Sequence, residues 1–520
     1  MKPDYDLIVV GSGFAGSITA MVARSLGLSV LMVERGRHPR FAIGESSTPL
    51  ANLLIEHIGN SFGLSQLTPL AKWGSWQATY PDIGCGLKRG FSFFHHQLGK
   101  AWSPKPERAN ELLVAASPND EIADTHWYRP DLDRFLASEA VAMGVDYRDQ
   151  TEVGEVSTGE SGIAACLGSD TQPVRARLLV DASGPRGCLF RHLGLQEEAL
   201  AGMPARQALF AHFRKVDLWE GGGYPPGKGV PFPPDASALH HVFDGGWSWV
   251  LRFNNGIVSA GASLTPAAAL DLPMAEPAEA WRRLLERLPA VQAQFANAVP
   301  VTPIYHVPDL GFATARWHGE RWLLLPSAGG FVDPLLSPGF TLALLGIARL
   351  GEALRKNGPE GSSWERDVAQ YATDCQLDLE YTARLTGTLF STMSDFPSFR
   401  LASLFYFAAV MNGETARRLG KVPMEGGFLL REDPEFWGRA DEGLTALTDE
   451  GSAIEGKMAA VRAALADYDL AGLTDWGRRF WYPVDPADLL EAAPRLGATA
   501  SEVRAMMERC GFSATAGGLS

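Results

Sequence analysis

The chain has 520 residues, of which 46% are hydrophobic and 10% aromatic, a composition that can bury a large core and that excludes intrinsic disorder. Its formal net charge of -14 argues against nucleic acid or an anionic membrane surface as a partner, because the average surface field repels both. Its five cysteines form no CxxC pair and no zinc spacing, so we expect no disulfide framework, no metal site and a cytoplasmic location.

The first segment of the chain predicts a strand, a helix and a second strand. Residues 7–37 read "LIVVGSGFAGSITAMVARSLGLSVLMVERGR". The apolar run before the glycines is typical of a buried parallel strand, and the residues after them have helical spacing that ends at Gly27. The second strand ends at Glu34. This order is the one in which a glycine-rich turn binds a dinucleotide.

Each glycine of "GSGFAG" has a physical reason to be there. Gly11 permits the tight turn, Gly13 allows backbone amides to approach a diphosphate, and Gly16 allows the helix to pack closely on the sheet. Glu34 stands where a carboxylate accepts ribose hydroxyls and repels a 2'-phosphate, so NADP is disfavoured while FAD and NAD remain equally compatible. The alternative is a glycine turn without a ligand. The predicted cofactor contacts in this unit also include Phe14, Ala15 and Arg35.

Three later segments have the composition of further parts of the same dinucleotide domain. They are "RHPRFAIGESSTP" at 37–49, "LLVDASGPRG" at 178–187 and "RWLLLPSAGGFVDPLLSPGFTLALLGIARLGEAL" at 321–354. In each, an apolar strand or turn leads into small residues and then a helix. Their separation predicts one dinucleotide domain that is interrupted by inserted segments.

The motifs "FAIGES", "DASGPRG" and "GGFVDPLLSPG" resemble three flavin-contacting motifs of the flavin-dependent halogenases and of the wider aromatic-hydroxylase type of FAD monooxygenase. The resemblance runs in order from residue 1 to about 360. It implies FAD as the cofactor, with reduced flavin reacting with oxygen. The cofactor contacts that it implies in these motifs are Glu45, Ser46, Asp181, Gly184, Ser327, Asp333 and Gly339.

The predicted fold is α/β, with an FAD-binding Rossmann-like domain, an inserted mixed-sheet substrate domain and a helical C-terminal extension. Residues 1–190 form the first part of the FAD-binding domain, with a substrate-side insertion near 80–165. Residues 191–315 form the substrate domain, 316–360 the last part of the FAD-binding domain, and 361–520 the helical domain. A Pro/Gly-rich loop at 221–235 is long enough for a lid.

Two tryptophans form a W-x-W pair in "GGWSWVLRFNNG", residues 245–256. Trp247 and Trp249 lie two apart on a predicted strand and therefore face the same side. In the halogenases a W-x-W signature lies between flavin and substrate, so the resemblance places both residues on the substrate side. Ordinary core packing is the alternative.

Two lysines compete for the role of the lysine that the resemblance implies. In the halogenases, reduced flavin, oxygen and halide give hypohalous acid, which travels to a lysine beside the substrate and either accepts its hydrogen bond or forms a haloamine. Lys88, in "LKRGFSFF", matches the K-x-G-x-x-F pattern of that lysine and is preferred. Lys72, in "LAKWGSW", suits the usual spacing from Gly44 better. A solvated surface lysine is the alternative for each.

A histidine pair follows Lys88 in "FSFFHHQ". Adjacent residues of a strand point to opposite faces, so only one of His95 and His96 can line an active cavity as an acid or base. A packed or capping histidine is the alternative. No metal-ligand spacing surrounds the pair.

The chain departs from the halogenase pattern in the segment implied to bind halide, Ser337 to Gly339. Halide in these enzymes rests on backbone N–H groups after the D-P motif, and Pro338 has no N–H to donate. Leu336 stands where the tryptophan halogenases carry a glutamate. Ser327 replaces an aspartate that contacts the flavin in most relatives, and its hydroxyl keeps one hydrogen bond without the charge.

The sequence therefore predicts an FAD-dependent enzyme that halogenates an electron-rich aromatic substrate, free or tethered to a carrier protein. A separate flavin reductase would supply the reduced FAD, and a halide ion would be the second cofactor. The alternative function is an FAD monooxygenase or another flavin redox enzyme on the same scaffold, and a non-catalytic flavin-binding protein is a third. The most apolar stretch, residues 401–411, is too short to span a membrane.

Overall fold

A computed structural model describes residues 3–159, 162–169, 172–219, 230–449 and 451–512. The strands within these ranges are β1 (Tyr5–Val10), β2 (Val30–Val33), β3 (Cys85–Lys88), β4 (Gly90–His95), β5 (Glu111–Ala115), β6 (Asp124–Trp127), β7 (Asp146–Arg148), β8 (Val153–Gly159), β9 (Gly162–Leu167), β10 (Val174–Asp181), β11 (Gln207–Arg214), β12 (Ala238–Phe243), β13 (Gly246–Arg252), β14 (Val258–Leu264), β15 (Val299–Pro300), β16 (Tyr305–Val307), β17 (Phe312–Ala313), β18 (His318–Gly319), β19 (Trp322–Leu324), β20 (Gly330–Phe331) and β21 (Trp481–Tyr482). Residues 221–229 of the predicted lid at 221–235 lie outside the described residues.

Helices lie mainly in the first 140 residues and beyond residue 337. Those in the described ranges are α1 (Phe14–Ser25), α2 (Pro49–Ser61), α3 (Trp73–Thr79), α4 (Arg129–Ala142), α5 (Cys188–Leu193), α6 (Pro266–Ala269), α7 (Pro277–Glu286), α8 (Pro289–Gln294), α9 (Pro338–Asn357), α10 (Trp364–Ser391), α11 (Phe396–Arg418), α12 (Pro434–Thr448), α13 (Ile454–Leu465), α14 (Pro486–Glu491) and α15 (Ala500–Cys510). Within those ranges, no helix is long and apolar enough to cross a membrane.

The first sheet is the dinucleotide-binding sheet. Its strands follow the order β18-β19-β10-β1-β2-β7, with β9 also on β10 and β8 on β9. β1 runs parallel to both β2 and β10, and β10 runs parallel to β19. Parallel strands buried on both faces need continuous apolar sequence, and β1 supplies it in "LIVV". The carboxyl ends of β1, β2 and β10 therefore meet at one edge, where α1 begins.

The second sheet is mixed and follows the order β15-β11-β14-β13-β12-β4-β5-β21, with β16 also on β11. β4 and β12 are parallel, as are β5 and β21, whereas β11 to β14 pair antiparallel. The early strands β4 and β5 thus join the same sheet as the later strands. The α/β class with a mixed second sheet and a helical C-terminal region is confirmed, and the domain bounds stay a prediction.

In the described part of the C-terminal region, the regular structure is helical except for one short strand. The sequence predicted helices throughout 361–520, and that reading was wrong at Trp481–Tyr482, because β21 pairs with Leu113 and Val114 at the edge of the second sheet. Tyr482 is buried and donates from its hydroxyl to the carbonyl of Leu473. The C-terminal region is therefore joined to the second sheet by backbone hydrogen bonds.

Candidate active site

The glycine-rich turn between β1 and α1 is closed by backbone contacts that leave no room for side chains. Gly11 has φ +98°, and a Cβ there would lie 2.6 Å from the carbonyl oxygen of Ala182. A Cβ on Gly16 would lie 1.9 Å from the carbonyl oxygen of Gly11. Both positions require glycine for steric reasons. Helix α1 begins at Phe14, so its N-terminal N–H groups point to the edge of the sheet.

Glu34 is buried directly beside this turn. Its carboxylate accepts hydrogen bonds from the backbone N–H of Ser12 at 3.0 Å and of Gly36 at 2.9 Å, and from Arg40 at 3.0 Å. Burial raises the pKa of Glu34, but Arg40 and the two N–H donors outweigh it and hold the pKa below its usual value. Glu34 is therefore an anion at the end of β2, where a nucleotide ribose is expected.

Two arginines and an aspartate that the sequence analysis missed lie against Gly13. Arg129 donates from Nε and Nη2 to the two carboxylate oxygens of Asp133, each at 2.8 Å, and Asp133 accepts from the N–H of Phe14 at 3.1 Å. A Cβ on Gly13 would lie 3.3 Å from Nη2 of Arg129 and 3.5 Å from Nη2 of Arg40. Two guanidinium groups beside a helix N-terminus fit a dinucleotide diphosphate. The spacing Arg129-x-x-x-Asp133 at the start of α4 was the available signal.

The remaining predicted residues of the turn have different environments. The ring of Phe14 packs edge-to-face against Phe340, 4.9 Å between centroids. Ala15 is half-buried and Arg35 is exposed. Phe14 therefore joins α1 to α9, whereas Arg35 has no packing role.

The "FAIGES" segment supplies a buried acid and a serine, and a second serine, Ser47, follows it. Glu45 Oε1 lies 2.6 Å from His212 Nε2, with both side chains buried. Ser46 Oγ and the Ser47 carbonyl oxygen both accept hydrogen bonds from Lys88 Nζ. The segment that the resemblance assigns to the flavin is thus in direct contact with the preferred lysine.

Asp181 in the "DASGP" segment stabilises the turn that follows β10. Its carboxylate accepts from the backbone N–H of Ser183 at 3.0 Å and of Leu189 at 2.8 Å. Burial raises the pKa of Asp181. Gly184 has φ +91°, which permits the turn. Asp181 therefore fixes the backbone at the edge where α1 begins.

Asp333 links the D-P segment to the W-x-W pair. It is buried and accepts from Trp247 Nε1 at 3.1 Å, Ser263 Oγ at 2.8 Å and Arg206 Nε at 3.2 Å. Burial raises the pKa of Asp333, although Arg206 and the donors oppose this. Trp249 lies on the same side of β13, with its ring centroid 5.5 Å from that of Trp247. Trp247 therefore contacts the predicted flavin segment directly, and Trp249 packs against Trp247.

The predicted halide segment adjoins a small cavity of about 10 Å³. Ser337 has φ 56°, a left-handed conformation that turns the chain into α9 at Pro338. The cavity contacts three of the predicted residues, Ser327, Asp333 and Gly339, and its lining is Ser327, Gly330, Phe331, Val332, Asp333, Pro338, Gly339 and Leu342. The structure therefore brings the predicted flavin and halide residues of this segment together.

A larger cavity of about 160 Å³ lies between the second sheet and the C-terminal helices. Its wall is mostly apolar, with Phe91, Phe407 and Tyr482 among its aromatic side chains. Its charged lining residues come from α2, β6, α11 and the segments next to them, namely Glu56, Lys72, Asp124, Glu414, Arg418 and Asp485. An apolar cavity with a few charged groups is the usual form of a small-molecule site.

The two candidate lysines occupy different places around this cavity. Lys72 lines its outer part, with a half-buried side chain 3.8 Å from Glu56. Lys88 is fully buried behind the inner wall, and its Nζ lies 3.9 Å from the ring centroid of Phe91. Desolvation lowers the pKa of Lys88. Only Lys88 contacts both the "FAIGES" segment and a residue of the cavity wall.

The histidine pair lies away from the larger cavity. His95 stacks on Phe396 with a centroid separation of 5.0 Å, and His96 Nε2 lies 2.9 Å from His241 Nδ1. Burial lowers the pKa of His95 to about 4, and burial with the neighbouring His241 lowers that of His96. Neither residue is in the described lining of the larger cavity. In the described ranges, no group of three or more His, Cys, Asp or Glu residues could hold a metal ion.

Comparisons with known proteins give the family. Residues 124–395, more than half of the chain, match the model of the family described as tryptophan halogenase. Tetracycline 7-halogenase of Kitasatospora aureofaciens is 29% identical over 76% of this chain and 71% of its own length. Monodechloroaminopyrrolnitrin halogenase PrnC of Pseudomonas fluorescens is 31% identical over 68% of this chain and 62% of its own length.

A structural comparison agrees on the fold. The crystal structure of halogenase PltM in complex with phloroglucinol and FAD has a TM-score of 0.82, with 24% sequence identity, and covers 92% of this chain and 99% of that chain. The fold shared with PltM includes the dinucleotide sheet, the mixed sheet and the helical region that enclose the two sites. With the family match over more than half of its length, this chain belongs to the flavin-dependent halogenases.

Proposed function

We propose that this protein halogenates an electron-rich aromatic ring, using FAD, oxygen and a halide ion. The observation that carries the proposal is the position of Lys88. Its Nζ donates to Ser46 of the "FAIGES" segment and lies against Phe91 of the cavity wall. A buried amine between the predicted flavin segment and an apolar cavity can transfer an oxidised halogen from one to the other.

The glycine turn and its arginines would hold the FAD diphosphate, and Glu34 would accept its ribose hydroxyls. Arg129 and Arg40 supply positive charge beside Gly13, where the phosphate oxygens of a dinucleotide approach the backbone. When bound in its reduced form, FAD supplies, with oxygen and halide, the hypohalous acid that the reaction consumes. A separate flavin reductase would deliver the reduced cofactor.

Lys88 would receive the hypohalous acid and hold it next to the ring. Burial keeps bulk water from its Nζ, and the hydrogen bonds to Ser46 and Ser47 fix the position of that atom. Hypohalous acid is a stronger electrophile when its oxygen accepts a proton, so an ammonium donor at Nζ favours transfer of the halogen to the ring.

The proposed substrate is an aromatic ring bound in the larger cavity. Its apolar wall fits a ring, because Phe91 and Phe407 offer aromatic faces and Val410 and Met411 offer aliphatic contacts. The names of its relatives include a pyrrole-carbonyl carrier-protein brominase and chlorinase as well as a tetracycline halogenase. We therefore propose to test both free and carrier-tethered aromatic compounds.

Turnover with a flavin reductase, oxygen and chloride or bromide tests the proposal. A halogenated product supports it, whereas a hydroxylated product would support the monooxygenase alternative, which the missing N–H at Pro338 favours. Lys88→Ala should abolish halogenation while FAD remains bound. Lys100→Ala is the matched control and should retain it, because Lys100 is exposed and lies outside the described lining of the larger cavity. Full activity of Lys88→Ala would remove the proposed role of Lys88.

A further inference from the structure

Lys88 has a buried acid directly across from it. Strands β3 and β6 pair antiparallel, and Lys88 is opposite Asp124 in their register. Lys88 is fully buried and Asp124 is 5% exposed. Opposed residues of an antiparallel pair lie on the same face of the sheet. An amine and a carboxyl group thus lie on one face with little exposure to water, and Asp124 also lines the larger cavity.

Hydrogen bonds leave each of the two groups incompletely paired. Lys88 donates to Ser46 Oγ at 2.9 Å and to the carbonyl oxygen of Ser47, which uses two of the three N–H bonds of an ammonium group. Asp124 Oδ1 accepts from Asn52 Nδ2 at 2.8 Å, whereas its buried Oδ2 has no hydrogen-bond partner among the described residues. Hydrogen bonds therefore do not fully compensate the charge of Asp124 in its ionised form.

The histidines near Lys88 carry no charge at neutral pH that would oppose the effect of Asp124. His126 and His240 face Lys88, and burial lowers the pKa of each to about 3. Both imidazoles are therefore neutral at neutral pH. In the structure as described, Asp124 is the acidic group whose charge raises the pKa of Lys88 against the effect of burial.

The charged groups near Asp124 are either paired or neutral. Glu414 accepts from Arg418 Nε at 2.6 Å, so these two cavity residues contribute little net charge. The phenol of Tyr406 stays neutral, because burial raises its pKa well above the usual value. Burial raises the pKa of Asp124 to about 7 although Lys88 opposes this, and burial lowers the pKa of Lys88 to about 7 although Asp124 opposes this. The charge of each group therefore stabilises the charge of the other against the effect of burial.

We propose that Asp124 is a positioning residue that keeps Lys88 protonated, so that Lys88 donates a hydrogen bond to hypohalous acid and does not form a haloamine. This inference rests on the proposed role of Lys88. An active-site lysine can react with the oxidant in two ways. Asp124, which lies 36 positions after Lys88 in the chain, would determine which of the two occurs.

The two routes differ in where the nitrogen lone pair goes. In the haloamine route, a neutral amine attacks the halogen, an N–halogen bond forms, the O–halogen bond breaks and water leaves. An ammonium group has no lone pair for that attack. In the proposed route, the ring carbon bonds to the halogen as the O–halogen bond breaks, and the departing hydroxide takes a proton from Lys88 Nζ to become water. The amine then accepts the ring proton, which restores the ammonium group.

The pH dependence of halogenation tests the role of Asp124. Activity should fall as the pH rises through the pKa of Lys88, because the ammonium donor is then lost. Asp124→Asn keeps the shape of the side chain but removes its charge. The pH at which activity falls should therefore decrease by about one unit or more. Asp124→Glu should return it towards its original position. Asp120→Asn, which removes an exposed carboxylate paired with Arg89, should leave it unchanged.

Asp124→Asn with bound FAD and an unchanged alkaline fall would overturn the inference. A second measurement uses the wild-type enzyme, so it does not depend on the folding of a variant. The enzyme turns over without aromatic substrate and is then desalted. It should not oxidise 5-thio-2-nitrobenzoate, because no haloamine has formed. Thiol oxidation by the wild type that is lost in Lys88→Ala would reveal a haloamine and would also overturn it. If Lys88→Ala itself halogenates normally, the proposed function of Lys88 has failed, which is a separate result.

Discussion

The glycine turn and the larger cavity are two sites built in opposite ways. The turn comes from consecutive elements, β1, α1 and β2, and its shape follows from backbone contacts such as that between Gly16 and Gly11. The cavity is lined by side chains from segments between residues 48 and 512, most of them apolar. Local sterics specify the first site, whereas the packing of distant segments specifies the second.

Because the two sites are built in these different ways, they should respond differently to substitution. In the turn, a single methyl group meets backbone that cannot move without disturbing the sheet. In the cavity, side chains can adjust, and the wall tolerates changes that preserve its volume. Changes in the turn should therefore remove FAD, and changes in the cavity should alter substrate binding while FAD remains.

Gly16→Ala should have the largest effect. The added Cβ would lie 1.9 Å from the Gly11 carbonyl oxygen, so α1 must move away from the turn at a cost of about 1–3 kcal/mol or more. We expect purified protein to lose most of its bound FAD, measured by visible absorbance. Gly438→Ala in α12 is the control, because a Cβ there meets nothing within 4 Å. Full FAD occupancy of Gly16→Ala would contradict the steric account of the turn.

Arg129→Gln should be the next most damaging change. It breaks the shortest ion pair of the buried Asp133, whose carboxylate keeps the more distant Arg40, at 3.7 Å, and the N–H of Phe14 as partners. We expect a loss of about 3 kcal/mol in the free energy of unfolding and more than about tenfold weaker FAD binding, measured by denaturant titration and by fluorescence. Arg134→Gln, on the exposed face of α4, should change neither. FAD binding unchanged in Arg129→Gln would remove this residue from the cofactor site.

Val410→Phe should affect only the cavity. The larger side chain takes up part of the 160 Å³ space, so we expect KM for the aromatic substrate to rise about tenfold, equivalent to about 1.4 kcal/mol. Bound FAD should not change. Val141→Phe on α4 is the control, since Val141 is exposed and outside the cavity lining. An unchanged KM would mean that the ring binds elsewhere.

Pro338→Ala should have the smallest effect and the opposite sign. It restores a backbone N–H at the start of α9, in the segment proposed to bind halide. One added hydrogen bond of about 1 kcal/mol should lower the KM for bromide or chloride about fivefold. Pro434→Ala makes the same change at the start of α12 and should leave it unaltered. No difference between the two variants would argue that halide binds away from this segment.

The sequence predicted the parts of the fold that depend on local patterns. The strand before Gly11, the helix after it and the strand ending near Glu34 are present as expected, because apolar runs and glycine positions determine them. A helix was likewise predicted after the small residues of the 321–354 segment, and α9 begins there at Pro338. Alternation placed Trp247 and Trp249 on one face of β13.

Long-range contacts account for what the sequence did not reveal. Arg129 reaches Gly13 from more than a hundred residues away, and Asp124 meets Lys88 through strand pairing that no local spacing predicts. The strand at Trp481–Tyr482 is only two residues long and exists because the edge of β5 is available. Sequence position alone also did not decide between Lys72 and Lys88, because their difference lies in what each contacts.

The strand β21 also bears on how the protein is made. β21 and the residues around it close one side of the larger cavity, and they follow most of the other residues of its wall along the chain. During synthesis the glycine turn and the other strands of the mixed sheet leave the ribosome well before this closing segment. A nascent chain stopped before residue 470 would hold the first sheet and the mixed sheet without β21, so its cavity would be open and the ability to bind substrate would arise late in translation.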